Sequence, residues 1–138
     1  MRIYLSILLL ILSFQLEAQL LDGAKQKFTK ADTLRGALRP ERTCFDVNYY
    51  ELNIDLAIEP RAISGSNKMF FTTIENFRTL QIDLFENMQI DRIIFKGKEL
   101  SFHREFNAVF VEFREELLVG SQEMIEIFYN GKPIVAKN

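Results

Sequence analysis

Between Tyr50 and Ile58 every second side chain is large and apolar: Tyr50, Leu52, Ile54, Leu56 and Ile58 alternate with Glu51, Asn53, Asp55 and Ala57. Neighbouring side chains on a strand point to opposite faces, so this run makes a strand with one apolar face and one wet face. Pro60 cannot donate to a ladder and ends it. Arg61-Ala62-Ile63-Ser64-Gly65 then turns the chain, with Gly65 able to take positive φ or to admit a close backbone.

The rest of the chain follows the same logic. Lys68 to Ile74 reads as the return strand, apolar or β-prone on both faces. Leu80, Ile82 and Leu84 alternate with Gln81 and Asp83, which are expected to point outward. Met88 to Phe95 is a further strand closed by Lys96-Gly97-Lys98, and Leu100 with Phe102 gives a short one. Glu105-Phe106-Asn107 turns into Ala108 to Phe113, and Arg114 to Ser121 reads as a charged loop. Ile125, Ile127 and Tyr129 line a last strand that ends at the turn Asn130-Gly131-Lys132-Pro133. About seven strands, with no periodic helix longer than a few residues, predict an all-β fold, an antiparallel sheet or sandwich. Thirteen Phe and no Trp supply large apolar area. A face built to pack on another domain stays bare without it, and large bare apolar patches mark partner surfaces.

The N-terminal part has a different character. Met1-Arg2 is followed by an almost wholly apolar run from Ile3 to Phe14, and Leu16-Glu17-Ala18 ends in a small residue. This is the pattern of a secretory signal peptide over residues 1–18, with cleavage expected between Ala18 and Gln19. The apolar run falls short of the roughly 20 residues that a membrane-crossing helix needs, so no membrane association is expected after cleavage. The mature chain is expected to be secreted or periplasmic. Residues 19–43 lack a sustained period and read as an extended lead-in, with at most a helical turn near Thr33 to Leu38. The β-domain proper is assigned to residues 44–138.

Cys44 is the sole cysteine, so no internal disulfide forms and the hydrophobic core must hold the fold. The expected role of Cys44 is that of a half-buried structural thiol. With 17 basic and 19 acidic side chains mixed along the sequence, the chain carries no electrostatic footprint for nucleic acid.

Little in the sequence points to chemistry. A catalytic zinc needs three protein ligands and an open position, and the chain offers one His and one Cys. The sequence has no His-Glu-x-x-His helix signature and no Gly-x-Ser-x-Gly elbow. His103 falls at a strand end beside the Phe106-Asn107 turn, and Glu115-Glu116 and the pair Asp83 with Glu86 read as solvated charge. The expectation is no catalytic, cofactor-binding or metal-binding residue in this chain.

An ordered series of segments carries a resemblance. It begins with Asp32-Thr33-Leu34-Arg35-Gly36, Pro40-Glu41-Arg42, Asp46-Val47, the strand from Tyr50 to Ile58 and Ile63-Ser64-Gly65. It continues through Leu80-Gln81-Ile82-Asp83-Leu84-Phe85, Lys96-Gly97, Ala108-Val109-Phe110-Val111 and Tyr129-Asn130-Gly131-Lys132-Pro133. The series resembles the N-terminal β-domain of secreted bacterial zinc aminopeptidases of the aminopeptidase N family, from roughly Asp32 to Asn138. The resemblance implies a saddle-shaped, non-catalytic domain that packs beside a zinc-bearing metallopeptidase domain and helps wall its substrate cavity. It implies that zinc and the peptide substrate belong to that neighbour, and that this chain is a fragment ending before it. Two other readings compete with it. One is a free-standing secreted β-sandwich module that binds a protein or glycan; the other is a small hydrolase built around His103.

Overall fold

The alternating run forms the far part of a long strand, β1 (Phe45–Ala57), which turns through residues 58–61 into β2 (Ala62–Thr73). The structure, a computed structural model, describes residues 27–135. The expected signal peptide, with its cleavage bond at Ala18 and Gln19, lies outside the described residues. Six further strands follow: β3 (Phe77–Asp83), β4 (Met88–Phe95), β5 (Lys98–Glu99), β6 (Ser101–Glu105), β7 (Ala108–Leu117) and β8 (Gln122–Gly131).

All pairings are antiparallel, in two sheets. The larger has the order β1-β2-β8-β4-β5 and the smaller β3-β7-β6. The core lies between them. Met69, Phe71, Ile93 and Ile125 come from the large sheet, and Leu80, Val109, Val111 and Phe113 from the small one, all buried. Edge-on aromatic contacts run within and between the layers: Phe45 meets Phe71 at 5.6 Å in the large sheet, Phe77 meets Phe113 at 5.8 Å in the small one, and Phe95 meets Phe113 at 5.0 Å across the two. T-shaped pairs of this kind suit the ring quadrupole.

The two-residue loop Lys96-Gly97 joins β4 to β5 with both residues at positive φ, +48° and +76°, the mirror-image turn that matches strand twist. Gly65 serves a different need. It stands at φ +156°, and a Cβ there would lie 1.9 Å from the backbone oxygen of Asn53 on β1. The β1–β2 ladder closes only because that carbon is missing.

The structure departs from the sequence reading in several places. The turn expected at Arg61-Ala62-Ile63-Ser64-Gly65 lies at residues 58–61, and Ala62 to Gly65 already belong to β2. Asn130 and Gly131, expected in a turn, are strand residues of β8 paired on both sides. The lead-in is not extended where it is described: it holds helix α1 (Lys30–Gly36) and helix α2 (Pro40–Thr43). Thr29 and Asp32 form a reciprocal capping box at the start of α1, whose hydrogen bonds hold the Asp32 carboxyl below its usual range. Gln81 points away from the inter-sheet core, as expected, yet it is buried beneath α1, where its Nε2 donates to the carbonyl of Leu34 at 2.9 Å. The supposed loop from Arg114 to Ser121 is strand as far as Leu117, whose buried side chain sits opposite Phe77. Among the described residues eight strands replace about seven, the extra one being the two-residue β5.

Candidate docking face

The two sheets differ in length. β1 and β2 have 13 and 12 residues, whereas β3 and β6 have 7 and 5. The long hairpin therefore outruns the sheet that covers it. Phe45 and Val47 pack against the core, and beyond them the register shifts at a bulge between Val47 and Tyr49. The bulge matters because strand side chains alternate with a period of two, so a one-residue shift reverses the faces. Val47 lies opposite Phe71, and after the shift Tyr50 lies opposite Met69, so Tyr50, Leu52, Ile54 and Leu56 share the inner face with Phe45 and Val47. Without the shift Glu51 and Asp55 would stand there.

The first half of this inner face is the core; the second half is bare. Tyr50, Leu52, Ile54 and Leu56 are 53%, 58%, 46% and 71% exposed, while Phe71 and Ile93 on the same face are fully buried. A groove of about 780 Å³ runs where the covered half gives way to the bare half, lined by Val47, Tyr50, Leu52, Met69, Ile82 and Ile127 among others. Asn67, opposite both Leu52 and Ile127, adds a buried Oδ1 that has no hydrogen-bond partner among the described residues. Nearer the hairpin tip a second hollow joins Leu56, Ile58 and Ile63 to Pro133, Ile134 and Val135. A strip of this extent is more than the scattered apolar residues that any soluble surface carries.

Polar side chains fix the neighbouring elements. Arg42 on α2 donates to the Leu34 carbonyl at 3.0 Å and to Asp83 Oδ2 at 2.9 Å, so it ties both helices to β3. Arg104 donates to the carbonyls of Leu84 and Met88 at 2.6 and 2.8 Å, which holds the β3–β4 connection against β6. Asp83 is thus committed to Arg42 and to Gln81 Nε2, and among the described residues no hydrogen bond joins it to Glu86.

The residues singled out for chemistry are dispersed. His103 lies exposed on β6, stacked on Phe110 at 4.9 Å, with Nδ1 3.2 Å from Glu112 Oε1. Ser101 donates to the other oxygen of Glu112 at 3.4 Å rather than to the ring, so serine and histidine do not form a nucleophile–base pair. Glu115 and Glu116 are exposed on β7. Among the described residues no group of three or more His, Cys, Asp or Glu is placed to hold a metal ion.

Cys44 is more deeply buried than the half-buried thiol expected, at 2% exposure. Burial pushes its pKa up to about 11 from an ordinary 9.0. The sign follows from linkage. Well below pH 9 the thiol is neutral folded or unfolded and costs nothing, but as pH rises through 9 toward 11 the unfolded chain ionises first, so stability falls through that window. Because only the thiolate reacts, iodoacetamide at pH 8.5 is expected to label the native chain roughly a hundredfold more slowly than the urea-unfolded chain. Equal rates in the two states would show that the thiol is not sequestered.

No protein-family model matches the chain, and no curated protein matches it in sequence. Solved structures do match. An M1 zinc metallopeptidase from Deinococcus radiodurans, solved with a Tyr-Ser-Ala substrate, is similar over 69% of this chain and 22% of its own, with 18% identity and a TM-score of 0.61. A two-domain M1 zinc metallopeptidase bound to L-tryptophan is similar over 70% of this chain and 22% of its own, with 18% identity and a TM-score of 0.60. Yeast LTA4 hydrolase matches over 64% and 15%, with 19% identity and a TM-score of 0.55. The chain thus has a two-sheet fold found in M1 zinc metallopeptidases and spans about a fifth or less of their lengths.

Proposed function

We propose that this chain is the non-catalytic N-terminal β-domain of a secreted zinc aminopeptidase, and that it packs on a zinc-bearing domain and helps wall that domain's substrate cavity. The observation that carries the reading is the half-covered inner face of the large sheet. Its apolar side chains stay on one face from Phe45 to Leu56 because the bulge shifts their phase, yet the small sheet covers only the near half. A strand in water has no use for four large apolar side chains on one face, whereas a strand under a neighbouring domain does. Similarity to chains several times longer, which are zinc metallopeptidases, supplies the kind of neighbour.

In this reading zinc and the catalytic base belong to the neighbour. The chain's own contribution is shape: a stiff two-sheet support, with helices α1 and α2 clamped to it by Arg42 and Gln81. Two measurements test the reading. Purified chain supplied with zinc is expected to release no fluorophore from aminoacyl-coumarin amides and to retain no stoichiometric zinc after dialysis. The coding sequence beyond Asn138 is expected to continue in frame to a His-Glu-x-x-His signature. Zinc-dependent turnover by the pure chain, lost on His103→Ala, would overturn the proposal in favour of a small hydrolase.

A further inference from the structure

The outer edge of β1 is a second unfilled surface, distinct from the bare face. β1 is the terminal strand of the five-stranded sheet, with β2 as its one partner among the described strands. Edge strands present a row of unpaired N–H and C=O groups, and protein chains protect such edges with short length, lysines, prolines or bulges. β1 has 13 residues, no lysine and no proline, and its bulge lies at Val47–Tyr49, which leaves an uninterrupted edge from Tyr49 to Ala57. Every residue of that stretch is exposed.

We infer that this edge accepts an added β-strand from a partner polypeptide, one with aliphatic side chains on one face and Lys or Arg on the other. The side chains of β1 specify that chemistry. Leu52, Ile54 and Leu56 on the inner face call for aliphatic neighbours, which would extend the bare apolar face by one strand. The outer face carries Glu51 and Asp55, with Glu59 in the turn beyond, and no basic residue lies on β1 itself. Lys68 on β2 pairs with Glu51, while Asp55 lies opposite Ser64 and makes no ion pair among the described residues. A second copy of the chain is a poor occupant, because antiparallel pairing of β1 with itself sets acidic side chains against acidic ones. The inference concerns the backbone edge and its charge, and it holds whatever domain supplies the strand.

The test uses the full chain, isotope-labelled, with synthetic peptides of about nine residues, a usual strand length. One peptide alternates Lys with Val, one alternates Glu with Val, and one repeats the Lys peptide with alternate backbone nitrogens methylated. The Lys peptide is expected to bind, to slow amide exchange at alternate residues between Tyr49 and Ala57, and to bind about tenfold tighter than the Glu peptide. The methylated peptide is expected not to bind, which needs no variant of the protein. The double substitution Glu51→Lys with Asp55→Lys is expected to reverse the preference. No binding at millimolar peptide, equal binding of the methylated peptide, or binding without protection of β1 amides would each overturn the inference.

Discussion

Replacing Gly65 with alanine is expected to lower the unfolding free energy by about 3 kcal/mol, among the largest effects of any single methyl group in this chain. The added carbon would lie 1.9 Å from the Asn53 oxygen and 3.2 Å from the Ile54 Cα, both backbone atoms of the paired strand. A flexible side chain swings away from an intruder, but a ladder carbonyl moves only by breaking its register. The φ of +156° adds strain for any L side chain. Gly97 is the control. It also has positive φ, but an added Cβ there meets nothing within 4 Å, so Gly97→Ala carries turn strain alone, about 1 kcal/mol. Urea midpoints of the two variants measure the difference. Equal losses would mean that the hairpin is not closed against Gly65.

Phe71→Ala is expected to cost about 3–5 kcal/mol, the range for emptying a buried aromatic site. Phe71 has no exposure at all, lies edge-on to Phe45 at 5.6 Å and tilted to Phe77 at 6.4 Å, and sits on β2, which pairs with both β1 and β8. The backbone on either side is fixed by ladders, so the cavity has little means of collapse. Against a total stability of roughly 5–15 kcal/mol the loss takes a large fraction of the whole. Phe85, by contrast, is 57% exposed beyond the end of β3, and Phe85→Ala is expected to change stability by less than about 0.5 kcal/mol. Thermal and urea unfolding of both variants would settle whether burial governs the phenylalanine-rich composition. Similar losses at the two sites would contradict it.

Much of this architecture was legible in the residues themselves. The alternation from Tyr50 to Ile58 and the Lys96-Gly97 turn are local signals, and local signals survive folding; Asn130-Gly131 reads as a turn but is held in the ladder by strands on both sides. The bulge at Val47–Tyr49 was not legible. Nothing in Val47-Asn48-Tyr49 announces a change of phase; only the apolar residues on both sides of it, odd-numbered before and even-numbered after, record one. Helix α1 shows in the sequence only as a helical turn near Thr33 to Leu38, because its seven residues show no period, although Thr29 followed by Asp32 is a capping pair and Pro40 is a usual first residue of a helix. That α1 lies over β3 is not a local signal, so the burial of Gln81 was not legible: an outward-facing glutamine on a strand is buried only when something distant covers it. The bare face was visible as an apolar stripe, but which half of it would be covered depended on the relative lengths of two sheets, a property of the assembled fold.

The double substitution Leu52→Lys with Leu56→Lys tests the central claim most directly, through unfolding free energy and concentration-dependent self-association measured on the same protein. If the far half of the inner face is bare in the chain and built for a neighbour, stability is expected to change by less than about 0.5 kcal/mol, while self-association and binding of apolar dye fall sharply. A loss of about 2 kcal/mol or more would show that the chain already buries these side chains itself, and the account of an uncovered docking face would be wrong.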